Sequence, residues 1–441
     1  MKNFKSETIL PNKKRVVLNN NLIYNIVKWQ SLPVVHIDIM IKAGILNEPI
    51  DKAGIADATA YLCTQGTISR KAIQIAQELD YIGAKLSIFA KEDASFIRLT
   101  FLKKHLNKAV DILKDIITNP TFPAEELDRW KIKTAATIAQ EKTDSSSFAN
   151  KKFKKFIFGN CSYGNYPTEV SLSHISRDDL IEFYKCYYKP NNAVASVVGD
   201  LQFKEAEKII ENLLEGWKPS LIPSKPITNV AEIDAFKVLL INKEDLNQAQ
   251  IRYGFPTTKR NTPFYFPLIL VNYIFGGGGF SSRLMTEIRS KKGLTYGIAS
   301  AFYFLKYAGL FYIQTFTKNK NVILMINEIK KQLQELKKSK ITNSELESAK
   351  SYFCGSFVQK FERPEKISEQ ILDVELHELG ENYLDSYKYN IDRVSLDDAV
   401  QAIDMFINTD FAKITILGNV AEFEDDIKPL GEVEIQNFNE D

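Results

Sequence analysis

Ile175-Ser176-Arg177-Asp178-Asp179 and Val394-Ser395-Leu396-Asp397-Asp398 lie 219 residues apart in a chain of 441. Each stretch opens a helix. Downstream, the apolar strand Ala193 to Val198 ends at Gly199-Asp200, and the strand Ile414 to Leu417 ends at Gly418-Asn419, again 219 residues on. Leu127 and Lys131 stand at the same distance from Leu346 and Lys350. A constant offset across separated landmarks marks a tandem duplication of one domain of roughly two hundred residues.

The two copies read alike. Val35-His36-Ile37-Asp38-Ile39-Met40-Ile41 alternates polar and apolar residues and predicts a half-buried strand. Further strands are expected near Ala84 to Ala90 and Ser95 to Leu102. Asn107 to Ile117 carries Ala109, Val110, Leu113, Ile116 and Ile117 on one helical face. Longer helices are expected from Pro123 to Glu141 and from Ser147 to Phe158, with Glu125 and Glu126 in the first turn of the former suiting the helix dipole. Strands that pair locally, with helices in blocks, give an α+β class: two tandem homologous domains, each an antiparallel sheet with helices packed on one face. The segment Gly216 to Asn229 holds three prolines and reads as a linker. The expected division is therefore 1–215, a linker at 216–230, and 231–441. The acidic end from Glu422 to Asp441 reads as a strand-poor tail.

Composition narrows the function classes. With 57 basic against 55 acidic residues the net charge is +2, which offers no electrostatic footprint for nucleic acid or an anionic membrane. The basic cluster Lys151, Lys152, Lys154 and Lys155 is expected on the wet side of an amphipathic helix. No apolar run approaches a bilayer span, and Met1 to Lys5 lead into a polar segment without the apolar core of a signal peptide. The sequence as given thus reads as soluble and cytoplasmic, or periplasmic if a leader has been trimmed. Cys63, Cys161, Cys186 and Cys354 are scattered without a CxxC pair and read as free structural thiols.

The chemistry-bearing stretch of the first copy runs Ala43-Gly44-Ile45-Leu46-Asn47-Glu48-Pro49, then Gly54-Ile55-Ala56-Asp57-Ala58-Thr59-Ala60-Tyr61-Leu62, ending Gln65-Gly66-Thr67. It resembles the active-site stretch of the pitrilysin/insulinase family of zinc metallopeptidases, which includes the mitochondrial processing peptidases. The resemblance covers nearly the whole chain and implies two homologous α+β domains, in agreement with the duplication. Catalytic members carry His-x-x-Glu-His on this helix. Histidines four residues apart lie on one helix face and bind zinc together, and the glutamate between them takes a proton from the zinc-bound water. A distal glutamate, about seventy-six residues further on in the family, completes the ligand set. The matching positions here are Asp57, Ala60 and Tyr61, with Thr137 at the distal position beside Ala136. None of His36, His105, His174 and His377 begins His-x-x-Glu or His-x-x-x-His, so no substitute motif stands elsewhere. The resemblance therefore implies a member with a degenerate zinc motif, which binds no metal of its own.

The second copy keeps more. Gly276-Gly277-Gly278-Gly279-Phe280-Ser281-Ser282-Arg283-Leu284 leads into Glu287-Ile288-Arg289 and Lys292-Gly293-Leu294-Thr295-Tyr296. It resembles the second-domain signature of the same family: a glycine-rich loop, a short helix, and an arginine and tyrosine seven residues apart. The resemblance implies that Arg289 and Tyr296 hold substrate backbone and steady the attacked carbonyl at a zinc site supplied by another domain or subunit. Arginine offers a fixed fork of donors that never loses its charge. The four glycines lack the Gly-Lys-Ser/Thr of a phosphate loop, so they read as a hinge or a place of close backbone approach. The Gly83 to Ala90 stretch corresponds to the edge strand on which the family adds its peptide.

The reading that follows is a non-catalytic subunit of a heterodimeric zinc metalloendopeptidase. A homologous partner would carry His-x-x-Glu-His and the zinc, and this chain would close the substrate chamber and present Arg289 and Tyr296. A structural or peptide-binding scaffold of the same fold, without a peptidase partner, is the alternative. The resemblance also admits a homodimer in isolation. No Ser/His/Asp or Cys/His arrangement supports an unrelated peptidase chemistry.

Overall fold

The computed structural model describes residues 9, 10, 12–214, 216–223, 230 and 235–438. The first half of the chain builds a six-stranded sheet from β1 (Lys13–Val17), β2 (Ile23–Lys28), β3 (Val34–Ile41), β4 (Lys85–Ala90), β5 (Ser95–Leu102) and β6 (Ala193–Gly199), in the order β1-β2-β6-β3-β5-β4. The second half builds its sheet from β7 (Lys237–Asn242), β8 (Gln248–Thr257), β9 (Ile298–Phe304), β10 (Gly309–Lys318), β11 (Lys413–Gly418) and β12 (Glu432–Asn437), in the order β12-β7-β11-β8-β10-β9. The orders correspond strand for strand except at one edge, where β1 runs antiparallel to β2 but β12 runs parallel to β7. The α+β class and the tandem arrangement are as the repeat predicts. Each sheet is mixed, because β2 and β6, like β7 and β11, pair in parallel.

The landmarks that betray the repeat are helix caps and strand ends. Ser176 accepts a hydrogen bond from the Asp179 N–H, while the Asp179 carboxylate accepts one from the Ser176 N–H, at 3.3 and 2.8 Å. Ser395 and Asp398 repeat this reciprocal box at 3.0 and 2.8 Å. The helices Arg177–Tyr187 and Leu396–Phe406 follow directly.

The compact units are not the two halves of the chain. One unit gathers the chain up to Thr137, Pro167 to the linker, and Phe357–Tyr387; the other gathers Ile138–Tyr166, the linker to Ser356, and Lys388 onward. The halves exchange a helix. Pro364–Leu376, from the second half, packs on β3 and β6 of the first sheet, and Ser145–Phe158, from the first half, packs on β8 and β11 of the second. In one unit Leu372 and Leu376 join Met40, Ala94, Phe96 and Val194 in a buried cluster; in the other Phe148 and Ala149 join Leu239, Ile241 and Leu417.

Polar groups fix each exchanged helix to its sheet. Asp38 on β3 is fully buried, 3.1 Å from the Arg98 guanidinium and 3.4 Å from the Ser368 hydroxyl, and Arg98 reaches Glu369 at 2.8 Å. Arg252 on β8 is 1% exposed and donates to Asn150 Oδ1, to the Ser146 hydroxyl at 2.7 Å and carbonyl at 3.1 Å, and to the Ile251 and Thr315 carbonyls. The two positions are equivalent: Asp38 pairs with Ser196 and Arg252 with Thr415, and these partners stand one repeat apart. The duplication thus kept the geometry and inverted the buried charge.

Three expectations change. First, β3 is buried along both faces, not half-buried, because the Pro364–Leu376 helix covers its His36 and Asp38 side. Second, Lys151, Lys152, Lys154 and Lys155 do not form one wet face: Lys152 is buried and the other three are only partly exposed. Lys152 is buried over the Phe148 ring, and Lys154 stands 5.7 Å from the Tyr303 ring, since the helix is covered by the second sheet. Third, the acidic end is not strand-poor. Glu432–Asn437 forms β12, an edge strand whose alternating Val433 and Ile435 are hidden in the sequence by the carboxylates around them. Of the expected 216–230 linker, residues 216–223 and 230 are in neither helix nor strand, and residues 224–229 lie outside the described residues.

Candidate functional site

The segment Ala43 to Leu62 is folded by its own polar and glycine positions. A Cβ on Gly44 would stand 2.1 Å from the Lys91 carbonyl oxygen, so the strand end and the β4–β5 turn can approach only through glycine. Gly54 takes φ +106° to start the helix Ile55–Leu62. The buried Glu48 carboxylate accepts from the Gly54 and Ala56 N–H groups at 3.1 and 2.9 Å, satisfying donors at the helix start.

On that helix the expected metal positions cannot hold zinc. Ala60 is fully buried and brings no donor atom. Tyr61 is half-buried and offers a phenol. Asp57 keeps an open surface, yet burial pushes its carboxyl above the ordinary range; the Ala90 N–H and the Trp130 indole act against this as hydrogen-bond donors. Donors, not further metal ligands, therefore face the one carboxylate. Thr137 is exposed and spends its hydroxyl on the Lys133 carbonyl at 3.0 Å. One carboxylate with a phenol and a self-bonded hydroxyl does not make a zinc set. Among the described residues no group of three His, Cys, Asp or Glu side chains could hold a metal ion. Trp130 was not found by sequence reasoning; its partnership with Asp57 spans too many residues for spacing to reveal.

β4 is the terminal strand of its sheet and pairs only with β5 among the described strands. The stretch that the resemblance marks for an added peptide strand therefore lies at a sheet edge.

The glycine-rich segment is wound rather than looped. Tyr273–Gly277 and Met285–Lys291 are π-helical, with a short 3-10 turn, Gly279–Ser281, between them. A Cβ on Gly276 would meet the Ser300 hydroxyl at 2.4 Å, and one on Gly278 would meet the Tyr273 carbonyl at 2.6 Å. Gly279 needs φ +63°. Arg283 clamps the segment through two 2.7 Å bonds to Glu345. That pairing, with the Thr342 N–H and hydroxyl and against the effect of burial, holds the Glu345 carboxyl down at about 2. Because the folded value lies below the ordinary one, the stabilisation is complete above about pH 4.5 and is lost as pH falls toward 2. Denaturant unfolding of Arg283→Gln should therefore show a deficit against the parent at pH 7 that shrinks steadily below pH 4.5; a deficit independent of pH would remove this role from the ion pair.

Arg289 and Tyr296 line one cavity of about 670 Å³, together with Leu294, Phe316, Lys318 and Lys320. The Arg289 guanidinium lies 4.8 Å from the Phe280 ring centre, in cation–π range. Tyr296 is 81% exposed. Neither side chain has a hydrogen bond or ion pair among the described residues. Lys318 and Lys320 were not singled out from the sequence, where isolated lysines after a strand are unremarkable.

The structure thus defines two tandem α+β units, one carrying Asp57, Ala60 and Tyr61 on the helix Ile55–Leu62 and the other a cavity lined by Arg289 and Tyr296. Residues 27–160 match the family model described as Insulinase (Peptidase family M16), and residues 174–353 match the one described as Peptidase M16 inactive domain. The chain belongs to the M16, or insulinase, peptidase family, as a member lacking the catalytic motif. It is 27% identical to the Uncharacterized zinc protease YmxG of Bacillus subtilis over 80% of this chain and 83% of that one. It is 28% identical to the Non-peptidase homolog YmxG of Helicobacter pylori, over 74% of this chain and 75% of that one. Two solved structures share the fold: a peptidase M16 inactive domain from Pseudomonas fluorescens, with TM-score 0.85 at 24% identity over 92% of this chain and 98% of that one, and a protease from Helicobacter pylori, with TM-score 0.84 at 20% identity over 92% and 100%. No helix among the described residues is long and apolar enough to cross a membrane.

Proposed function

We propose that this chain is the non-catalytic subunit of a heterodimeric zinc metalloendopeptidase. Its homologous partner supplies His-x-x-Glu-His and the zinc, and this chain closes the substrate chamber and supplies Arg289 and Tyr296 to the partner's site. The observation that carries the reading is the asymmetry between the two repeats. The metal positions carry a single carboxylate and no imidazole, whereas Arg289 and Tyr296 keep their donors, unspent on any other residue described, in one cavity. A guanidinium over an aromatic ring and a solvent-facing phenol support this reading, because both can donate to a peptide carbonyl, and most effectively to one carrying developing negative charge. The printed name of the Helicobacter relative, a non-peptidase homolog, agrees with the absence of a catalytic role for the chain alone.

The test is reconstitution with a homologous chain that carries the motif. Arg289→Ala is expected to lower kcat of the assembled enzyme roughly 10²–10³-fold, the usual effect of removing one oxyanion donor. Tyr296→Phe should act in the same direction with zinc content unchanged. Undiminished turnover in both variants would instead assign the chain to a scaffold.

A further inference from the structure

We propose that the Arg289–Tyr296 cavity selects a carboxylate on the bound peptide, either an acidic side chain or a free C-terminus, and that Lys318 and Lys320 determine this specificity. The inference rests on the reading of the cavity as a peptide-contact site and adds the chemistry of what it accepts.

Three cations, Arg289, Lys318 and Lys320, line the cavity, and no carboxylate does. The chain as a whole carries 57 basic and 55 acidic residues, so this wall departs from the balance of the molecule. The neighbouring cations show what ordinary neutralisation looks like. Arg283 is paired with Glu345, Lys291 with Glu287, and Lys292 with the buried Glu328. Arg289, Lys318 and Lys320 have no such carboxylate among the described residues.

The walls are held in place by other bonds. Lys318 ends β10, and Lys320 lies in the turn Asn319–Asn321 that leads into the helix Val322–Ser339. The Thr317 hydroxyl donates to the Leu294 carbonyl at 2.6 Å and ties the end of β10 to the segment between Arg289 and Tyr296. Lys292 reaches Glu328 on the Val322–Ser339 helix and ties that helix to the same segment. That helix has no acidic residue in its first turn, so the positive end of its dipole adds to the lysines instead of being offset. Like charges fixed around one concave space repel one another, and an anion entering relieves that repulsion. Leu294, Phe316 and the Tyr296 ring supply apolar surface beside the cations, as a peptide needs and a bare inorganic anion does not.

Labelled unstructured peptides of equal length test this with the full chain, by fluorescence anisotropy at low and moderate salt. One is acidic with an amidated end, one neutral with a free C-terminus, and one neutral and amidated. Either carboxylate-bearing peptide should bind roughly tenfold tighter than the neutral amidated one, a preference that narrows with salt. Whichever carboxylate peptide gains identifies the source of the group. In Lys318→Gln/Lys320→Gln the favoured peptide should fall to the affinity of the neutral amidated one. Equal binding of all three peptides, or a preference that survives the double lysine substitution, would overturn the carboxylate assignment while leaving the cavity as a peptide site. If Arg289→Ala and Tyr296→Phe leave the binding of every peptide unchanged, or if no peptide binds, the underlying reading of the cavity fails with it.

Discussion

Expressed separately, the two halves of this chain should fail to fold, and expressed together they should recover a stoichiometric, cooperatively unfolding complex. The reason is the exchanged helix. A fragment ending in the linker lacks Pro364–Leu376, which buries Ile367, Ile371, Leu372, Val374 and Leu376. At roughly 1.5–3 kcal/mol for each buried side chain, that is on the order of 10 kcal/mol. Domains of this size are stable by about 5–15 kcal/mol in all, so the loss consumes most or all of the margin. The fragment would also bare Asp38 and Arg98 to a face evolved to be covered, and the complementary fragment would bare Arg252. Size-exclusion chromatography and near-ultraviolet circular dichroism read the outcome. A single half that runs as a compact monomer with fixed tertiary signals would contradict the exchanged arrangement.

The second large effect is expected at Arg252. Replacing it with alanine removes its bonds to Ser146 and Asn150, leaves a cavity between β8 and the Ser145–Phe158 helix, and takes the side-chain donor from the buried Ile251 and Thr315 carbonyls. Removing a buried charged donor from its hydrogen bonds, together with the cavity left behind, typically costs about 3 kcal/mol. For a unit of this size that is a fall in Tm of roughly 10 °C. Burial already presses the Arg252 guanidinium down to about 10, which is the cost its hydrogen bonds must outweigh. Arg289→Ala is the control: among the described residues its partly exposed side chain makes no hydrogen bond or ion pair, only a contact with the exposed Phe280 ring, so its stability should stay within about 0.5 kcal/mol of the parent. If Arg252→Ala unfolded with the same midpoint as Arg289→Ala, Arg252 would have no part in anchoring the exchanged helix.

Much of this architecture is legible in the sequence because it is local. The reciprocal bonds of Ser176 with Asp179 and Ser395 with Asp398 are short-range chemistry, and so is the glycine ending β6 and β11. The exchange is not legible for a corresponding reason. An apolar stripe on a helix states that a face is buried but not which sheet buries it. The lysines of the Ser145–Phe158 helix read as a solvent face because sequence reveals the charged tip and not the aliphatic stem, which lies along Phe148 in the case of Lys152. β12 was missed because Glu432, Glu434 and Gln436 flank each apolar residue of a strand at a sheet edge, where such charge is tolerated.

The candidate site divides along the same line. Arg289 and Tyr296 belong to a contiguous signature and could be found by register. Lys318 and Lys320 reach the cavity from the far end of β10, brought there by the pairing of β10 with β8 and β9. Trp130 comes to Asp57 through tertiary packing alone. Sequence therefore named the residues carried by the motif and missed those the fold delivers.

The most direct test of the central claim is metal content and hydrolysis measured on the same preparation, first with the chain alone and then with a partner carrying His-x-x-Glu-His. The chain alone should hold no stoichiometric zinc and cleave no unfolded peptide, and both should appear on addition of the partner. One zinc per chain with hydrolysis by the isolated protein would contradict that claim.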